Sequence, residues 1–320
     1  MAIDAAARLS RPTFGLALGG FAGAVATREQ ILGLARQAEA IGFHSLEVGD
    51  HIQWHRPIFE STALMATLAA LTSRVRIASD VVILPLRDPV LIAKTIASLD
   101  VLSGGRVTFG VGVGGDNPAE YTAMRISRSE RGARADESLE IVRGLFEHER
   151  FSYRGRHFRL EDVAIAPRPL QPRLPIWVGG TSQAALRRAA RHGDGWIAAF
   201  ASERKFARLS EDLSGLLSAE GRARDGYTLG TFLFTLVDDD AGRARAHAAE
   251  HVRRVYRLDG DAIVERFASA GPVEACLERV HRYVEVGARH VVLYPLCDPA
   301  DWPRQLEGFA EVMARARGGR

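Results

Sequence analysis

The alternation of two hydrophobic periods constrains this chain more than any other feature. Eight apolar, often β-branched runs occupy residues 14–20, 45–50, 75–83, 107–114, 175–180, 195–200, 229–237 and 290–296, with helical pattern between them. Runs of that length, bounded by turn residues, read as buried strands. Strands without polar alternation are covered on both faces, as in a parallel sheet sandwiched by helices. Eight strand–helix units in one chain favour a closed (β/α)8 TIM barrel over an open doubly wound sheet. The 320 residues would make two ordinary domains at ~150 each, but such barrels run to about 250 as one. The expectation is one α/β domain over 1–320, with insertions after the fourth and seventh strands (116–174 and 238–271).

Helix ends support the division. Thr27 and Gln30 form a T-x-x-Q capping box, and Gly42 closes that helix. A second helix over 89–102 stops at Gly104-Gly105. Ser182 caps a helix reaching Arg191, another over 272–286 ends at Gly287, and an amphipathic tail begins at Pro299.

Composition removes several function classes. A chain 47% hydrophobic and 25% charged is globular, neither disordered nor fibrous. No run reaches the ~18 apolar residues of a membrane helix. Basic and acidic residues are interspersed and nearly balanced, 42 against 39, so no nucleic-acid partner is expected. The two cysteines, Cys276 and Cys297, are too few for a disulfide framework or a zinc cluster and suit a reducing cytoplasm. Arg8 and Arg11 precede an apolar stretch (14–24) and Ala24-Val25-Ala26, which mimics a secretory signal. Its glycines and the helix start that follows favour a buried first strand instead.

In such barrels chemistry sits at the carboxyl ends of the strands. The candidates there are Asp50 and His51, Ser79 and Asp80, Gly114 to Asn117, Gly179 to Ser182, Phe200, and Cys297 with Asp298. GVGVGG (110–115) contains G-x-G-x-x-G, but a dinucleotide fingerprint needs its glycines to open a helix. Here they lie within the strand and Asp116-Asn117-Pro118 follows. They read as room for a flat ligand or another backbone.

GDHIQWH (49–55) puts an acid, two histidines and an indole past the second strand. A zinc hydrolase would want convergent ligands and usually His-x-His on the first strand, which has no histidine. Two readings of His51 stay open: a proton-transfer group, or a polar loop residue bonded to Asp50 or the backbone. WVGGTSQAALRRAA (177–190) runs strand, Gly-Gly, hydroxyl pair, helix. Thr181, Ser182 and Gln183 could seat a phosphate or carboxylate, or Ser182 could simply cap the helix. No G-x-S-x-G elbow, P-loop or DNA-binding motif is present. Cys276 reads as interior, and Cys297 as a small buried hydrophobe or a ligand contact.

Three longer stretches complete the picture: VRIASDVVILPLRDPVLIAKTIASLDVLSGGRVTFGVGVGG, RPLQPRLPIWVGGTSQAALRRAARHGDGW and GPVEACLERVHRYVEVGARHVVL. Through them the sequence resembles, over nearly its whole length, the bacterial luciferase-like superfamily of flavin- and deazaflavin-dependent oxidoreductases. The resemblance implies a tricyclic cofactor ring in the barrel mouth. One face would rest on the backbone of Ser79, Asp80 and Val81, at a non-prolyl cis peptide expected between Asp80 and Val81. Gly114 and Asn117 would lie beside it, and Gly179, Gly180, Thr181 and Ser182 would meet its phosphate. Asp50-His51 stands where many deazaflavin-using relatives carry Asp-His, and Trp54 where a sugar-phosphate dehydrogenase group has an active-site Trp. This favours coenzyme F420, with FMN as the alternative. The catalytic Glu of that group falls at Gly115 here. Asp116 or Glu120 could replace it, and a sugar-phosphate substrate is not inferred.

The resemblance thus implies an oxidoreductase passing a hydride from reduced F420 to a small organic substrate, and the cysteine usage a cytoplasmic one. His51, oriented by Asp50, would stabilise or protonate the developing charge. The alternatives are a monooxygenase fed with reduced FMN by a separate reductase, and a non-catalytic flavin-binding protein. The substrate-defining insertions carry no signature. Oligomeric state is left open by the sequence, although luciferase-like barrels often pair as a homodimer.

Overall fold

In a computed structural model, the structure describes residues 11–18, 26–115 and 117–318. Eight parallel strands close on one another: β1 (Thr13–Leu18), β2 (Ser45–Val48), β3 (Arg76–Ser79), β4 (Val107–Gly112), β5 (Ile176–Gly179), β6 (Gly195–Ala198), β7 (Thr228–Val237) and β8 (His290–Pro295). Neighbours in sequence pair around the ring, and β8 returns to β1, with Thr13 opposite His290. This is the expected (β/α)8 barrel, and all eight expected runs supply its strands. The first run is described only to Leu18; the rest of the signal-like stretch up to Val25 lies outside the described residues, as does Asp116.

The third run is not continuous. The Asp80–Val81 peptide is cis, as the resemblance implied. Val82–Ile83 then forms a separate two-residue strand against Val111 and Gly112 of β4.

Helices cover the sheet. The Thr27–Gln30 capping box opens α1 (Arg28–Ile41), and Gly42, at φ +89°, ends it. α2 (Ser61–Leu71) was not singled out by pattern: its residues are nearly all apolar or small, so no polar face marks it. Asp88 caps α3 (Pro89–Ser103), which stops at Gly104 in the left-handed conformation. The segment after β4 holds α4 (Pro118–Ala123), α5 (Arg131–Glu147) and an antiparallel hairpin, Phe151–Arg154 with Arg159–Val163. Ser182 caps α6 (Gln183–His192), and Ser202 caps α7 (Glu203–Ala219). The segment after β7 holds α8 (Ala241–Tyr256), α9 (Gly260–Phe267) and a strand, Ala268–Gly271, that runs parallel beside β7. Then come α10 (Val273–Glu285) and, after β8, α11 (Trp302–Ala316).

The core between barrel and helices is apolar, with Phe14, Leu46, Phe109, Ile176, Trp196 and Phe309 fully buried. No described helix is long and apolar enough to cross a membrane.

Candidate active site

The glycines of β4 explain the shape of the barrel mouth. A Cβ on Gly110 would fall 1.9 Å from the Ser79 carbonyl oxygen, and one on Gly112 would fall 2.6 Å from Val81 Cγ2. Gly179 on β5 faces Val81, and Gly114 faces Ile83. Of the two readings left open for this run, the close approach of another backbone is what the structure shows: β4 gives way to the Ser79–Ile83 segment. Ser79 is tied down by its hydroxyl, which donates to the Gly110 carbonyl at 2.8 Å.

His51 stands beside this segment, at the end of β2. Its Nδ1 lies 3.1 Å from each oxygen of Glu120, a carboxylate only 1% exposed, which reaches over from α4. Glu120 Oε1 also accepts from the backbone amides of Ile52 at 2.6 Å and Gln53 at 3.3 Å. The carboxylate therefore fixes both the imidazole and the loop that carries it. Asn117 adds a second tie by donating its side-chain N–H to the Gln53 carbonyl at 2.7 Å, while its oxygen caps α4. Trp54 lies against the imidazole, with ring centroids 4.3 Å apart.

Asp50 does not orient His51, which corrects the expectation. Its carboxylate is buried and points the other way: Oδ1 accepts from Ser61 Oγ at 2.9 Å and Arg87 at 2.6 Å, and Oδ2 from the Ile83 amide at 2.9 Å. Consecutive side chains on an extended backbone leave opposite sides, so the residue next to His51 cannot face the same space. Asp50 holds the segment after the cis peptide in place. Glu120, one of two candidates for the missing acid, takes the orienting role.

Across the mouth, β5 ends in Gly179 and Gly180, and α6 begins. Gly180 has φ +121°, its carbonyl accepts from Trp196 Nε1 at 2.7 Å, and Ser182 Oγ accepts from the Ala185 amide at 3.2 Å. Ser182 is therefore spent as a cap. Thr181 is met by Lys205, whose ammonium donates to the Thr181 hydroxyl at 3.1 Å. Sequence pattern missed Lys205. Its one signal was rarity, since this chain has only two lysines. A cation beside the positive end of a helix suits a phosphate better than either alone.

The remaining wall is aromatic. Phe200, held at φ +52°, contacts Phe234, Tyr256 and Phe267, and Tyr294 packs on Phe232 and Phe234. Burial pushes the Tyr256 and Tyr294 phenols well above their ordinary range, so both stay protonated. Cys297 is buried, and burial likewise pushes its thiol up; Asp298 is paired with Arg254 at 2.7 Å. No group of three or more potential metal ligands occurs among the described residues.

Comparison with known proteins follows this geometry. Residues 13–290 match a family described as luciferase-like monooxygenase. An uncharacterized protein of Mycobacterium tuberculosis is 39% identical over 184 residues, which is 51% of this chain and 63% of that protein. The match thus spans less than two thirds of that relative's length. An F420-dependent glucose-6-phosphate dehydrogenase of Beutenbergia cavernae is 32% identical over 312 residues, covering 88% of this chain and 91% of the relative. Among solved structures, a monooxygenase from Streptomyces bottropensis superposes with a TM-score of 0.84 at 24% identity, over 95% of this chain and 99% of the other.

Proposed function

The chain belongs to the luciferase-like monooxygenase family, and from that premise we propose that it is an oxidoreductase that uses reduced coenzyme F420 to pass a hydride to a small organic substrate. The observation that carries this reading is the His51–Glu120 pair with Trp54 against it, at the carboxyl end of a barrel strand. Relatives named as F420-dependent dehydrogenases, matched over 91% and 71% of their own lengths, support the choice of cofactor.

The residues present fit such a cofactor. Lys205, Thr181 and the unpaired first amides of α6 form a donor set with the chemistry of a phosphate seat. The Ser79–Val81 backbone and Gly179 offer a narrow surface for the ring. Bound and reduced, the coenzyme supplies the hydride. His51 then moves a proton at its other ring nitrogen, Nε2, while Glu120 at Nδ1 holds the imidazole in place. The aromatic wall excludes water and meets a substrate with an apolar body.

A second reading, an FMN monooxygenase supplied with reduced flavin by a separate reductase, is favoured by that same aromatic, water-poor wall. Calorimetric titration of the purified protein with F420 and with FMN separates the two. The F420 reading expects the tighter binding for F420 by at least about tenfold, a difference of ~1.4 kcal/mol. Tighter binding of FMN would overturn it in favour of the monooxygenase.

A further inference from the structure

Barrels of this kind are usually filled by branched apolar side chains, but this one holds an acid deep inside. Glu47 on β2 is 1% exposed. Its Oε1 accepts from the Ser45 hydroxyl at 2.6 Å and lies 3.1 Å from His290 Nε2; the other nitrogen of His290 lies 2.8 Å from the Thr13 hydroxyl. Glu47 Oε2 is enclosed and has no hydrogen-bond partner among the described residues. Asp80, just past the end of β3, has the same feature: its Oδ2 is enclosed and without a partner.

Register puts these two side chains on one face of the sheet. Glu47 lies opposite Ala78 on β3, and residues two apart on a strand share a face. Asp80 therefore enters the barrel on the side of Glu47, one layer nearer the mouth. No ion pair reaches Asp80 among the described residues. Arg76, the cation of the same strand, is taken by Thr108, the Val107 carbonyl and Gln171. The other titratable groups facing the pair are His290 and Tyr294 from β8 and Tyr256 from α8, with His44 beyond His290 at the base.

We propose that Asp80 stands in the barrel mouth as a neutral carboxylic acid and that this acid donates a hydrogen bond to the ring of the bound cofactor. The neutral acid stands on the enclosed, unpartnered oxygen of Asp80 beside the Glu47 face; the contact to the ring rests on the cofactor reading above. A carboxylate whose oxygen is enclosed without a cation or donor is costlier than its neutral form, and a second carboxylate on the same face adds to that cost. Burial first, and the charge of Glu47 second, hold Asp80 well above the usual carboxylate range. A neutral acid donates to a ring carbonyl or nitrogen. A carboxylate only accepts, and it repels a cofactor that carries phosphate.

Infrared difference spectroscopy of the cofactor-free protein tests the proton. Wild type at neutral pH should show the carbonyl stretch of a protonated acid, shifting on deuteration and missing from Asp80→Asn. Absence of that band in wild type overturns the proposal. Glu47→Gln should make the band titrate away at lower pH than in wild type, and an unchanged titration would overturn the part given to the Glu47 charge. The contact is tested by titrating wild type and Asp80→Asn with F420 and with FMN from neutral to alkaline pH. Wild type should lose about tenfold more affinity than the variant, the scale of one hydrogen bond to a neutral donor. Parallel curves overturn the contact. If neither cofactor binds wild type, the cofactor reading and the contact both fall, and the infrared band still decides the proton.

Discussion

At the scale of single residues, one pair separates a proton-handling site from a polar loop. In the proposed reading His51 is the proton-transfer group, and Glu120 at Nδ1 sets the tautomer and orientation of its ring. His51→Ala should leave cofactor affinity within a few fold and lower turnover about a hundredfold, the lower range for losing a general acid or base. Unchanged turnover on an accepted substrate would leave His51 a loop residue. Glu120→Gln keeps a hydrogen-bonding group near Nδ1 but removes the negative charge. Turnover should then fall with KM little changed, as steady-state kinetics would show. A purely structural Glu120 would lower the melting temperature and leave kcat in place. Asp50 was misassigned at this scale because adjacency in sequence suggested adjacency in space, whereas its actual partners, Ser61, Ile83 and Arg87, come from two later segments.

At the scale of elements, β4 and α6 carry the site. Gly110→Ala would drive a methyl group into the Ser79 carbonyl, a backbone atom that cannot rotate away. Its cost should reach about 3 kcal/mol, the upper range for overpacking. Gly112→Ala meets only the Val81 side chain and should cost clearly less. Chemical denaturation of the two variants checks the order, and equal midpoints would contradict the crowding. At α6, Thr181→Glu would place a fixed charge beside the proposed phosphate seat and pair with Lys205. Cofactor affinity should fall at least about tenfold, since a like-charge contact costs ~1 kcal/mol when exposed and several times that when desolvated. The helix itself should survive, because an acid near its N-terminus is favourable. Calorimetry on the folded variant decides it, and wild-type affinity would place the phosphate elsewhere.

At the scale of the whole molecule, Asp194, between α6 and β6, ties neighbouring parts of the barrel together. It accepts from Arg143 of α5 at 2.6 Å, Arg173 at 2.8 Å and the Ile176 amide of β5 at 3.0 Å, tying three segments at the amino end of the barrel. Burial would raise its carboxyl, but the Arg143 charge, the Ile176 amide and Arg173 outweigh burial and hold it below its ordinary range. A folded-state value below the unfolded one means stabilisation that is present above the unfolded pKa, about 3.9, and is lost as pH falls through the folded one. Asp194→Asn should therefore lower the melting temperature at pH 7, and the gap from wild type should close under strong acid. A gap that persisted undiminished there would show that shape rather than charge matters at this position.

The sequence by itself determined the barrel, the places where its strands begin and the caps of several helices, because those depend on local period and on groups three or four residues apart. The capping box at Thr27, the stops at Gly42 and Gly104, and the cap at Ser182 all act within one turn of chain. Only the tertiary structure decided what meets at the mouth and along the axis. Glu120 is 69 residues from His51, Lys205 is 24 from Thr181, and His290 is 243 from Glu47. Strands covered on both faces carry no alternation to say which side chains point into the barrel. The inward turn of Glu47 and Asp80, like the outward turn of Asp50, is set by ring closure and strand register, which appear only when all eight strands are in place.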